Sequence, residues 1–163
     1  MADEEKKPIR RRKATLDDIK PVILDVEIED AEENEDGELE PIILEFKLKV
    51  PSFSRWNQIG GEVADPTPTP GGFDKQGRPI FDTNNWGYRT GLNDAANERN
   101  VRRLAEAMLE PAIPGDSLPD KAQFLKENMA PGIISQLCTL LVSAAAKGGE
   151  ARIASRANNF HQS

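Results

Sequence analysis

The chain has 163 residues, 21 Lys+Arg against 28 Asp+Glu for a formal charge of −7, and 37% hydrophobic side chains. That hydrophobic share supports one small core and leaves part of the chain outside it. One Cys and one His exclude a disulfide scaffold, a zinc finger and a His-dependent triad in a packed site. No apolar run approaches the ~18 residues of a bilayer span, and the opening MADEEKKP has no apolar signal core, so a soluble protein without membrane partners is expected.

Charge falls in blocks. Residues 1–20 carry 7 basic and 5 acidic groups, residues 21–45 carry 11 acidic and no basic ones, and residues 46–163 carry 14 basic and 12 acidic ones. The first block clusters Lys6, Lys7, Arg10, Arg11, Arg12 and Lys13, with too little apolar surface to offset ordering, which predicts a disordered basic arm over 1–18. Residues 19–61 then read as β-rich. Val22, Leu24, Val26 and Ile28 alternate with polar neighbours as a half-buried strand over 22–28, and Ile42, Leu44, Phe46, Leu48 and Val50 do the same over 42–50. Pro41 opens the second strand, where its missing N–H does least harm. The acidic loop 30–40 between them completes an antiparallel pair. Its Glu32-x-Asn34-x-Asp36-Gly37 mimics half a calcium loop, but Ile43 stands where the bidentate Glu belongs, so no calcium binding is expected.

Residues 62–92 form a Pro/Gly-rich insertion or linker. Asp65 to Gly72 is polyproline-like, and Gln76-Gly77 has the turn chemistry of a small hairpin within Phe73–Ile80. The aromatic residues of this middle either pack it onto the sheet, the favoured reading, or leave Phe53, Trp56 and Trp86 as anchors for a partner.

From Asn93 the period changes to 3.6. Val101, Leu104, Ala105, Met108 and Leu109 share one face of a helix predicted over 93–110, capped by Asn93 and stopped by Pro111. Ser117 and Asp120 cap a helix over 118–128, and Pro131 starts one over 131–147 that Gly148-Gly149 closes, within a helical segment 93–149. The tail 150–163 has no period and is expected to be disordered. The last helix is apolar on more than one side, through Ile133, Ile134, Leu137, Leu140 and Leu141. Such a surplus meets a partner or a second copy, by the face bearing Ile134, Leu137 and Leu141 or by that bearing Ile133, Leu140 and Ala144. The predicted fold class is α+β: a small antiparallel β-sheet or hairpin in the N-terminal half, packed with an α-helical C-terminal half.

No catalytic constellation emerges. The abundant carboxylates sit in water, Cys138 lies among leucines as a small hydrophobe, His161 falls in the tail, and the glycine pairs lack a phosphate-loop context. A non-enzyme without metal or cofactor is therefore expected. The basic arm carries an electrostatic footprint for nucleic acid, but the adjacent acidic block repels a polyanion over a Debye length of ~8 Å and no reading motif accompanies it.

One ordering of motifs stands out. A β-rich half is followed by Ala95-Ala96-x-Glu98-Arg99-Asn100-x-x-Arg103-Leu104-Ala105-x-Ala107-x-Leu109-x-Pro111. A spacer rich in Asp and Leu follows, then Pro131-Gly132-Ile133-Ile134-x-x-Leu137 and a Leu/Ala-rich helix. This pattern resembles the tail assembly chaperones of long-tailed bacteriophages over about residues 93–147, with 62–86 as an insertion relative to the family. The resemblance implies a non-catalytic protein of the bacterial host cytoplasm. It would coat the aggregation-prone tape measure protein, help gather tail tube protein subunits around it, and leave before the virion is complete. The alternative is a permanent virion component, such as a tail or head–tail connector protein.

Overall fold

A computed structural model of the chain describes residues 8–147. The start of the basic arm, the Gly148-Gly149 stop, the tail and His161 lie outside the described residues. A 3-10 turn, Leu16–Ile19, leads into β1 (Ile23–Glu33) and β2 (Leu39–Lys49). Then come α1 (Phe53–Gly61), the short strands β3 (Pro70–Phe73) and β4 (Pro79–Phe81), α2 (Trp86–Ala107), β5 (Met108–Glu110), α3 (Leu118–Asn128) and α4 (Pro131–Lys147). The fold is α+β, with a small antiparallel sheet in the N-terminal half and helices mostly in the C-terminal half.

The sheet has the order β1-β2-β5, and β3 pairs separately with β4. In β1 and β2 the registers Leu24↔Leu48, Val26↔Phe46 and Ile28↔Leu44 put the alternating apolar residues on one face, and Asp25↔Lys47 on the other. That inner face closes one core with Val101, Leu104 and Ala105 of α2, Leu125 of α3, and Leu137 and Leu141 of α4. Helix α2 is the hub, touching α1, α3, α4 and β2.

Five expectations are corrected. The acidic loop 30–40 is mostly strand: β1 runs on to Glu33 and β2 begins at Leu39, so only residues 34–38 turn. Asn34 Oδ1 accepts from the backbone N–H of Asp36 at 3.0 Å and of Glu38 at 2.9 Å, while Gly37 takes φ +78°. The residues that mimic a calcium loop are thus those a tight hairpin needs. Pro41 sits inside β2, not at its start. Val50 N–H donates to Val22, so the even-numbered residues of β2 face β1 and Pro41 turns its missing donor outward.

The segment after Pro51 is helical. Ser52 caps α1 by accepting from Arg55 N–H at 3.2 Å. Helix α2 begins at Trp86, with Asn85 and not Asn93 as its cap, and ends at Ala107. Its last predicted turn instead extends as β5, which pairs Met108 with Leu48 and Glu110 with Lys47. The other expected caps are present, Ser117 accepting from Asp120 N–H at 3.3 Å and Pro131 opening α4.

Candidate functional site

The surplus apolar surface of α4 divides cleanly. Leu137, Leu141 and Ala144 lie at i, i+4 and i+7 and are 0, 1 and 2% exposed, so this stripe is the core contact. Neither of the two expected partner faces survives intact: the first loses Leu137 and Leu141 to the core, the second loses Ala144. Ile133, Ile134 and Leu140 pack half-buried at the edge of the same core.

What remains open is the neighbouring stripe Ile134, Cys138 and Val142, with Val142 40% exposed. It floors a groove of about 660 Å³ between α4 and α2, lined also by Asn97, Asn100 and Val101 of α2 and Lys126 of α3. Ser135, Thr139 and Ser143 follow one another at i+4 spacing along its α4 rim. The groove is apolar at its base and hydrogen-bonding at its lip, which suits an amphipathic segment.

Its only sulfur is held as the thiol. Burial pushes the Cys138 thiol up to about 11, and its Sγ lies 3.7 Å from the Asn100 carbonyl. The nearest ionic cluster is structural. Glu98 accepts from Lys126 Nζ at 2.6 Å and Arg102 Nε at 2.9 Å, tying α2 to α3. Burial of Glu98 works to raise its pKa, but the two cationic donors outweigh it and hold it below the usual value. Among the described residues no group of His, Cys, Asp and Glu is arranged to hold a metal ion.

The three aromatic candidates separate. Trp56 is half-buried against the core, with the Arg103 guanidinium 4.4 Å from its ring centroid and Arg103 Nη2 donating to its carbonyl at 3.2 Å. It is a structural residue, in line with the favoured packing reading and not with the alternative of an exposed anchor. Phe53 and Trp86 are 84 and 81% exposed. They belong to opposite ends of the hub helix: Phe53 sits in the first turn of α1, which Arg55 holds to Glu106 at 2.8 Å, while Trp86 opens α2. Twenty residues of helix between positions 86 and 106 span ~30 Å, so these side chains do not share a site with each other, and neither lines the α4 groove.

The groove residues that pattern reading missed are Asn97, Asn100, Thr139 and Val142. For the two α4 residues the signal is the Ser135/Thr139/Ser143 stripe beside Ile134/Cys138/Val142; Asn97 and Asn100 of α2 carry none. The larger leucines of the same helix obscured it. Searches of protein-family models, curated proteins and solved structures return no match to the chain.

Proposed function

We propose that this chain is a non-catalytic phage tail assembly chaperone, which holds apolar helical segments of the tape measure protein and helps recruit tail tube protein in the host cytoplasm. The reading rests on the motif order of residues 93–147 and on one structural observation. Helix α4 keeps an open apolar stripe, Ile134/Cys138/Val142, in a groove of about 660 Å³ after its core contact is complete. A holdase needs such a groove for a client helix and charge to keep the complex in solution, and the block of 11 carboxylates in residues 21–45 supplies the latter.

Coexpression with the tape measure protein of the same genome tests it. The full chain is expected to keep that client in the soluble fraction. The Val142→Lys, Thr139→Lys double variant, altering two groove positions outside the core stripe, should keep its circular dichroism and lose the client. Client solubility that is unchanged by the double variant overturns the groove assignment. Recovery of the chain in finished virions overturns the chaperone reading in favour of a permanent tail or connector component.

A further inference from the structure

Among the described residues, one long edge of the β1–β2 hairpin has no partner. β1 is 11 residues long and, among the described residues, pairs only with β2, as the outer strand of the sheet. Since Val22 turns its carbonyl to β2, the outward backbone groups belong to Ile23, Asp25, Glu27 and Glu29, and then to Ala31, whose N–H is taken by Asp30 Oδ1 at 2.9 Å. An open edge of this length is a pairing surface unless something covers it. Along it and around its tip, Glu29, Glu32, Glu33, Glu35 and Glu38 are all exposed, and no ion pair within the described residues engages any carboxylate between Asp25 and Glu45.

The complementary charge lies in the same sequence. Arg10, Arg11, Arg12 and Lys13 are exposed, and among the described residues only Arg12 of these has an acidic partner, Asp18, bound through Nη1 at 2.7 Å. That contact fixes the root of the segment at the wrong end of the hairpin. Ile19 and Lys20 line a cleft with Pro51, Arg55 and Glu106, beside the base of β1. From Arg12 back to Arg10 the chain spans at most ~7 Å. The carboxylates from Glu29 onward lie ~20 Å or more along the strand from Ile23. Within one copy no ion pair among the described residues joins the basic segment to the acidic end of the hairpin.

We propose that the acidic β1–β2 hairpin takes the basic segment Arg10–Lys13 of a second copy of this chain, laid along the free edge of β1. The backbone edge supplies directional hydrogen bonds and the charges set which segment binds there. The contact is independent of the α4 groove, so its test does not bear on the client reading.

Sedimentation of the full chain measures it. Self-association is expected at about 0.01 M salt, where charges act over ~30 Å, and a monomer at about 1 M, where they act over ~3 Å. The arm variant Arg10→Glu, Arg11→Glu, Lys13→Glu and the hairpin variant Glu29→Lys, Glu32→Lys, Glu35→Lys should each weaken association about tenfold or more. Mixing the two variants should restore it as a hetero-oligomer, because every arm then meets a hairpin of opposite sign. A wild-type monomer at low salt overturns the proposal. So does association that survives high salt or either charge reversal, which would mark an apolar contact, and so does a mixture of the variants that stays monomeric.

Discussion

Two five-residue turns, Asn34-Glu-Asp-Gly-Glu38 and Asp74-Lys-Gln-Gly-Arg78, solve the same problem with the same atoms. In each the first side chain accepts two backbone N–H groups, Asn34 from Asp36 and Glu38, Asp74 from Gln76 and Arg78. In each the fourth residue is a glycine in the left-handed region, with φ +78° at Gly37 and +75° at Gly77. A Cβ there costs about 1 kcal/mol from backbone strain alone, so Gly37→Ala should lower the unfolding free energy by that amount. Gly132, in the first turn of α4 with open space around it, should respond in the opposite sense: Gly132→Ala gains about 0.5 kcal/mol by restricting the unfolded chain. Equal shifts at the two positions in urea titrations would contradict this assignment of strain.

Glu98 adds a pH dependence at the same scale. Its folded pKa lies below its ordinary value of 4.5 because Lys126 and Arg102 stabilise the carboxylate more than burial penalises it. A depressed carboxyl pKa gives stability that is complete above the unfolded value and is lost as pH falls through the folded one. Glu98→Gln should therefore cost about 1 kcal/mol near neutral pH and progressively less in acid. Thermal melts of both proteins from neutral to strongly acidic pH should converge at the acid end; parallel curves would mean that Glu98 contributes nothing through its charge.

At the level of elements, periodicity was readable wherever one face of the element meets the core. The inner residues of β1 and β2, the caps of α3 and the start of α4 could all be placed because alternation, Ser117 and Pro131 each carry one physical meaning. The failures have causes of their own. The outer halves of β1 and β2 read as loop because nothing packs on them and acidic side chains depress strand propensity. The first two turns of α2 were hidden by Gly87 and Gly91, poor helix formers that are held by the Asn85 cap and by Pro66 packed against Gly91. Strand β5 replaces a predicted helical turn because Met108 and Glu110 gain partners in β2, a long-range pairing that no local pattern shows.

The open face of α4 could be anticipated in kind but not in identity. The surplus of apolar residues was legible; which stripe the core would use was not, since Leu140 and Leu141 differ only in direction around the axis. With that direction known, Leu141→Lys is expected to cost about 4 kcal/mol or more and to unfold the chain, because it buries an unpaired charge at a site 1% exposed. Val142→Lys, one residue away and 40% exposed, should shift stability by no more than about 0.5 kcal/mol. Circular dichroism of the two single variants distinguishes them, and equal unfolding would place the whole helix inside the core.

Across the whole molecule, the insertion between α1 and α2 is anchored at its start and free at its end. Arg99 of α2 donates to the carbonyls of Gly60 at 3.1 Å and Val63 at 2.7 Å and to Asp65 at 2.6 Å, fixing the first residues of the linker along the hub helix. Beyond Pro66 that anchoring stops. No residue of β3 or β4 is buried, and Phe73, Ile80 and Phe81 are 72, 53 and 47% exposed. A two-stranded ribbon with no third element on either face among the described residues contributes little stability of its own. Its ends meet, since Asp82 N–H donates to the Thr69 carbonyl at 3.2 Å, so residues 70–81 can be replaced by a two-glycine link without moving Asp65, Pro66 or the Asn85 cap. The shortened chain is expected to unfold within about 1 kcal/mol of the parent, because none of the buried cluster is removed. Replacing Arg99 by Met, in contrast, should cost about 2 kcal/mol, since it strips two backbone carbonyls and Asp65 of their donor while keeping the length of the side chain. Calorimetry on the three proteins decides the matter: if loss of the ribbon is the more damaging change, the insertion is part of the cooperative core, and its exposed aromatic residues must then be covered by contacts within the chain.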